Sequence, residues 1–286
     1  MSSTITEAFV QQYSNNVQML SQQKGSLLRG VVDVESVVGK HAYFERIGQV
    51  SAQKRVSRHS DTPQIDTPHS RRRISMSDFE FADLIDQQDK VRTLIDPTSQ
   101  YALAAAYAMG RSMDDEIIAA VSGNAFGGET GSTTIALPAG QKITESGTAG
   151  LTIAKLRSAK EIMDSQSIDP SIPRHIVVSP KQITDLLGTT EVTSSDFNTV
   201  KALANGEIQT FLGFNFIVSN RLTSSSSKRL CLAFTNDAIK LALGKDVVTR
   251  IDERADKGYS TQVYVCMTMG ATRLEDEKVV TIQAHE

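Results

Sequence analysis

The chain has 286 residues, 40% of them hydrophobic and 22% charged, with a formal net charge of −3. It is long enough for one large domain or two modest ones, and the near-neutral balance excludes a nucleic-acid binder working through bulk positive charge. Cys231 and Cys266 stand far apart and form no C-x-x-C pair, so no thiol-based metal or redox motif is present. The first residues lack the basic and then apolar run of a secretory leader. No stretch approaches the roughly 18 apolar residues of a membrane span. The expectation is a protein made and kept in a cytoplasm-like compartment, with no membrane partner.

Thr4 and Glu7 form a T-x-x-E capping box, and Val10, Tyr13, Val17 and Leu20 follow at helical spacing among glutamines and asparagines. So thin an apolar stripe needs another surface to cover it, and residues 1–30 read as an N-terminal arm. Residues 31–81 predict an extended β-hairpin with its flanks: β-rich chain on either side of a turn-rich tip containing Pro63 and Pro68. The hairpin carries few apolar residues, has no core of its own, and is marginal in isolation.

Asp96-Pro97 marks the start of a long Ala-rich helix over about 98–122, with Leu103, Tyr107, Gly110, Met113, Ile117 and Val121 on one face. A Gly/Ser/Thr-rich connector over 123–150 is interrupted by a short strand over 133–137. A second helix carries Ile153, Leu156, Ala159 and Met163. From 173 the pattern is compact α/β. A buried strand over 175–179 leads through Ser179-Pro180 into a helix over 181–187, and Gly188 ends it. Strands are predicted around Phe214, Phe216 and Val218 and over 229–234, 246–251, 262–269 and 278–282. A short helix through Leu243 is capped by Thr235-Asn236.

No motif along the chain carries catalytic chemistry. Gly123, Gly128 and Glu129 have P-loop spacing, but a carboxylate stands where the phosphate-binding lysine belongs, and a helix precedes the glycines instead of a strand. A flexible connector is the better reading. His41, His59, His69, His175 and His285 show no metal-ligand spacing, and no G-x-S-x-G elbow exists. Asp114-Asp115-Glu116 reads as a solvated helix face. No catalytic, cofactor-binding or metal residue is proposed.

Charge is the informative pattern. Over 41–73 the bases Arg46, Lys54, Arg55, Arg58, Arg71, Arg72 and Arg73 outweigh Glu45, Asp61 and Asp66. Over 78–96 the acids Asp78, Glu80, Asp83, Asp86, Asp89 and Asp96 outweigh Lys90 and Arg92. Complementary patches on one molecule suit a head-to-tail contact between copies. Arg55, Arg58, Arg71, Arg72 and Arg73 of one subunit are expected against Asp78, Glu80, Asp83 and Asp86 of the next. The plainer reading is a solvated charged surface. A nucleic-acid role has only Tyr43 and Phe44 as stacking aromatics.

The order of parts resembles the major capsid protein of tailed bacteriophages, the Hong Kong 97-like fold. "IVVSPKQITDLLG" (176–188) is similar to the strand, Ser-Pro and helix that open that family's axial domain. "GEIQTFLGFNFIVSNRL" (206–222) is similar to its characteristic strand, and residues 234–282 to its closing stretch. The resemblance implies an α+β fold with an N-terminal arm (1–30), an extended loop (31–81), a peripheral domain with its spine helix (82–172), an axial domain (173–250) and a return to the peripheral domain (251–286). It further implies subunits in hexamers and pentamers of an icosahedral shell around double-stranded DNA, with a separate scaffolding protein and a portal. The alternatives are an encapsulin-type nanocompartment shell and, from another class, a cytoplasmic nucleotide-binding enzyme.

Overall fold

The computed structural model describes residues 22–55, 57–58, 61–62, 64–86, 98–145, 147–166, 168–188 and 210–286. The capping box at Thr4 and Glu7, the stripe from Val10 to Leu20, the Asp96-Pro97 step, and His59, Asp89 and Asp96 lie outside the described residues. In chain order the N-terminal portion supplies β1 (Asp33–Ser36), β2 (His41–Ile47), β3 (His69–Ser75) and β4 (Ser77–Ile85), then helix α1 (Thr98–Ser122). β5 (Ala125–Gly127), β6 (Thr133–Ile135) and β7 (Lys142–Ile143) precede α2 (Ile153–Ser165), β8 (Arg174–Val178) and α3 (Pro180–Leu187). β9 (Thr210–Phe211), β10 (Phe214–Val218), β11 (Ser224–Ser225), β12 (Lys228–Thr235), β13 (Ile239–Arg254), β14 (Ser260–Arg273) and β15 (Val279–His285) complete the α+β fold.

The strands form one sheet in the order β1-β13-β14-β4, a seven-stranded sheet along β7-β15-β12-β8-β10-β9 with β11 on β12, and a third in the order β2-β3-β5-β6. Alternation along the strands assigns the cores. Val265, Met267 and Met269 of β14 point one way and meet Met109, Met113, Ile117 and Val121 of α1. In β8 all five residues are buried. Ile176 and Val178 face α2 and α3, while Val177 faces the α1 core. The seven-stranded sheet is therefore covered on both sides, which is why Ile176, Val177 and Val178 of its central strand are apolar on successive positions and not in alternation.

α2 begins where predicted: Thr152 caps it by accepting from the Lys155 N–H at 3.4 Å, and Leu156, Ala159 and Met163 are fully buried. α3 starts at Pro180 and ends at Gly188. The buried row of α1 differs from the expected stripe in its first turns. Ala105 and Met109 point inward, while Leu103 remains 45% exposed.

One expectation is corrected. The helix expected over 236–243 is a single 3-10 turn, Asn236–Ala238, followed by β13. Ile239, Leu241 and Leu243 are paired with Arg273, Ala271 and Met269 of β14, and burial between two partner strands overrides the local helix preference of Ala and Leu. β13 continues to Arg254 through register shifts between Leu243, Lys245 and Val248, so it runs across the domain division expected at 250. The chain after 251 supplies β14 to the α1 sheet and β15 to the sheet of β8 and β12.

The connector over 123–150 is also more ordered than expected. Its P-loop-like glycines form β5 and the turn into β6, and β5 pairs with β3. A side chain at Gly127 would come within 2.9 Å of the Arg71 carbonyl and 2.8 Å of Ile135, so glycine here serves close strand pairing, not phosphate binding.

Candidate assembly surface

The basic hairpin is built on the β2–β3 pair, in register from His41↔Ser75 to Ile47↔His69. The pair ends where the Gly48 N–H bonds the Pro68 carbonyl at 2.8 Å. Beyond that point the described residues, with Arg55 and Arg58 among them, belong to no strand and are largely exposed. The hairpin has a rooted base and a distal part that makes no sheet of its own.

The base presents two chemically different faces, because successive side chains alternate. On the outer face Arg71 pairs with Glu45 at 2.6 Å and lies 5.7 Å from the Tyr43 ring centroid. Arg73 lies 5.3 Å from the Phe126 ring centroid. On the inner face Ala42 and Ile74 pack on Ala242, and Arg72 is buried at 1% exposure. Its Nη2 donates to Asp276 at 2.5 Å. The other oxygen of Asp276 accepts from Arg273 Nε at 2.5 Å. Arg273 in turn donates to the Val121 and Gly123 carbonyls at 3.1 and 2.7 Å, at the electronegative end of the α1 dipole. Burial holds the Arg72 pKa below the usual arginine range, with Asp276 opposing and Arg46 and Arg273 adding to the shift.

The acidic counterpart is β4, an edge strand of the α1 sheet. Asp78 accepts from Thr268 Oγ1 at 2.6 Å and Glu80 from the Tyr264 hydroxyl at 2.9 Å. Asp86 accepts from Ser260 Oγ, and Asp83 from the Leu84 N–H at 2.9 Å. Hydroxyl and amide donors orient these carboxylates without neutralising them, and the Glu80 bond pushes the Tyr264 pKa up to about 12. Among the described residues none of the four has a cationic partner.

The structure thus separates the expected contact residues. Arg55 and Arg58 are exposed on the distal hairpin. Arg71 and Arg73 sit at the outer face of its base, partly occupied by their own subunit. Arg72 is corrected: it is an interior residue, because its place on β3 puts it on the same face as Ile74. Sequence reading missed Asp276 as its partner and Arg273 as the second cation that Asp276 holds. Parity along β14 carried the signal, since 267, 269, 271 and 273 share the face that packs on α1.

Asp114 corrects a second expectation. It is fully buried and accepts from the Leu28 N–H at 3.0 Å, the Leu27 N–H at 3.1 Å and the Ser26 hydroxyl at 2.5 Å. It lies on the buried face one turn after Gly110. Only Asp115 of that triplet behaves as read, pairing with Arg221 at the surface. Among the described residues no cluster of His, Cys, Asp and Glu could hold a metal ion, and no helix is long and apolar enough to cross a membrane.

Comparison with known proteins decides the family. The model for the phage capsid protein family matches residues 5–286. This chain belongs to the phage capsid protein family. The capsid of cyanophage P-SCSP1u has the same fold, with 20% identity, 99% of this chain and 94% of that chain covered, and a TM-score of 0.76. The capsid of Ralstonia phage GP4 aligns at 13% identity over 97% and 95% of the two chains, TM-score 0.75. The acid-stable capsid of Helicobacter pylori bacteriophage KHP30 aligns at 14% identity over 100% and 98%, TM-score 0.74. A search of curated protein sequences finds no match. The chain is a structural protein, a major capsid subunit of the head shell, and its location is the virion capsid.

Proposed function

We propose that copies of this capsid subunit assemble as hexamers and pentamers of an icosahedral head around double-stranded DNA, without enzymatic activity. Each basic hairpin lies on the acidic edge strand of the next copy. Arg55 and Arg58, with the outer-face Arg71 and Arg73, lie against Asp78, Glu80, Asp83 and Asp86. The supporting observation is that, among the described residues, β4 is a sheet edge carrying carboxylates without cations, while the distal hairpin carries exposed cations outside any sheet. Each pair contributes only ~0.2–1 kcal/mol, but repetition around a closed shell fixes register and orientation. Under this reading assembly occurs in the host cytoplasm, a separate scaffolding protein and a portal complete the head, and DNA is contacted without sequence specificity.

The test is a charge swap read by electron microscopy. Arg55→Glu with Arg58→Glu, and separately Asp78→Lys with Glu80→Lys, should each abolish closed particles while leaving the subunit folded. Combining the two sets in one chain should restore them. Normal particles from Arg55→Glu with Arg58→Glu would reject the contact.

A further inference from the structure

On its outer side the hairpin base is tied to the rest of the subunit by the short β3–β5 pairing and by Tyr43 and Arg71, which bond the Thr130 and Glu129 carbonyls. On its inner side polar contact converges on one short loop after β14. Arg46 Nη1 donates to the Leu274 carbonyl at 2.5 Å, and Arg72 Nε reaches the same oxygen at 3.4 Å. Asp276 holds Arg72 on one carboxylate oxygen and Arg273 on the other. The apolar contact beside this loop is small: Ala42, Ile74 and Ala242, with Val37 and Phe44 packed around them. Three guanidiniums meet at the joint, from Arg46, Arg72 and Arg273, and Asp276 is the carboxylate bonded to two of them. Among the described residues Arg46 Nε and Arg72 Nη1 are buried without a hydrogen-bond partner. Such a joint is held by geometry at the carboxylate, not by surplus packing, since like charges and orphaned N–H groups oppose it.

We propose that Asp276 is the positioning residue that sets the angle between the basic hairpin and helix α1. The geometry gives the mechanism. Arg273 is fixed to the C-terminal end of α1 through the Val121 and Gly123 carbonyls and to β6 through the Ile135 carbonyl at 3.2 Å. Asp276 transfers that reference to β3 by gripping Arg72. Without the carboxylate, the two guanidiniums repel one another, and the two-residue β3–β5 pairing with the small apolar patch remains as the pivot. The hairpin then keeps its own β2–β3 pairing but loses its fixed direction, while the core of α2, α3 and the seven-stranded sheet is untouched because Asp276 is not part of it. The consequence for assembly rests on the hairpin contact proposed above.

The experiment is a pair of spin labels at Ser51→Cys on the hairpin and Ala119→Cys on α1, both exposed positions, in a full-length Cys266→Ser chain. Asp276→Asn should broaden the label-to-label distance distribution about twofold or more, raise hydrogen exchange in 41–75 about tenfold, and leave exchange in β8, β12 and β15 unchanged. Asp276→Glu should recover a narrow distribution. Should Asp276→Asn fail to fold, Arg72→Met makes the same test, because it leaves Asp276 to Arg273. An unbroadened distribution in the folded variant overturns the proposal, as does uniform loss of protection across the whole chain in both variants. A broadened distribution with normal particle yield upholds the positioning role and overturns the hairpin contact in assembly.

Discussion

Asp114 reaches across from helix α1 to accept the backbone N–H of Leu28 at 3.0 Å, and this bond joins the N-terminal chain to the middle of the long helix. The same carboxylate takes the Leu27 N–H, the Ser26 hydroxyl and the Gln23 side-chain amide, so one acidic side chain satisfies four donors, of which the Leu28 N–H is buried and the others partly so. Asp114→Ala should lower stability by about 3 kcal/mol, since each orphaned buried donor costs about 1–3 kcal/mol and solvent reaches part of the site. Urea unfolding measures it. A loss below about 1 kcal/mol would mean that the N-terminal chain is held by something else.

Gly110 makes the crossing possible. A methyl group there would stand 2.5 Å from the Gly25 carbonyl carbon and 2.7 Å from the Ser26 nitrogen. Gly→Ala inside a helix is ordinarily stabilising by about 1 kcal/mol. Here the backbone would have to retreat, so Gly110→Ala should instead destabilise by about 1–3 kcal/mol. The sign is the test: a raised melting temperature would show that residues 25–26 can move aside freely.

How far these features were legible in advance depended on whether they were local. Ser179-Pro180 and Gly188 announce helix ends because such signals are carried by neighbouring residues. The β13 segment from Ile239 to Leu243 was misread because its conformation is set by strands distant in sequence, β14 and β1. Arg72 was taken for a surface cation because it stands between two other arginines. Alternation with Ile74 already put it on the inner face, but its carboxylate partner lies about two hundred residues away (|i−j| = 204) and no local pattern points to it. Asp114 was hidden in the same way by Asp115 and Glu116.

Acid should act first through His175. It is 8% exposed, the Asn236 side chain beside it favours the charged ring less than burial opposes it, and its ring centroid lies 6.3 Å from that of Phe234. Burial holds its pKa below the usual histidine value, so the unfolded chain binds the proton more readily than the native one. Stability is therefore full above the unfolded pKa of about 6.5 and falls as pH drops below it. A second loss comes lower still. The Asp237 pKa is held down by Lys278 and Thr235, against the upward push of burial. The Asp246 pKa is held down by Arg29 and the Val247 N–H. Their stabilisation disappears as pH falls through their depressed values. Melting temperature against pH should show both declines, and His175→Leu should remove the upper one. Persistence of that decline in the variant would assign it to another group.

Tyr264 offers a direct reading of the acidic edge. Its pKa of about 12, against a reference of 10.0, comes first from the hydrogen bond to Glu80, so Glu80→Gln should bring phenol ionisation down toward the reference. Absorbance titration of the phenolate follows it, with Tyr264→Phe identifying the transition. An unchanged titration would mean that Glu80 is turned away from the sheet face and free for other contacts.

Salt should separate the two classes of arginine in this molecule. Contacts between the distal Arg55 and Arg58 and the β4 carboxylates of a neighbour would form at solvent-exposed surfaces. The screening length falls from about 8 Å at 0.15 M ionic strength to about 3 Å at 1 M, so the attraction that orients one copy on the next should weaken steeply. The Arg72–Asp276–Arg273 cluster is buried and is screened far less. Raising salt should therefore slow particle formation, followed by light scattering, while the folded subunit keeps its hairpin angle and its urea midpoint nearly unchanged. The Arg55→Glu, Arg58→Glu, Asp78→Lys, Glu80→Lys chain should show the same salt dependence, because its pairs are reversed and not removed. Assembly rates indifferent to salt in both proteins would leave charge pairing without a role and shift the weight of the contact to apolar residues such as Val50 and Ile65, which are 51% and 44% exposed along the hairpin.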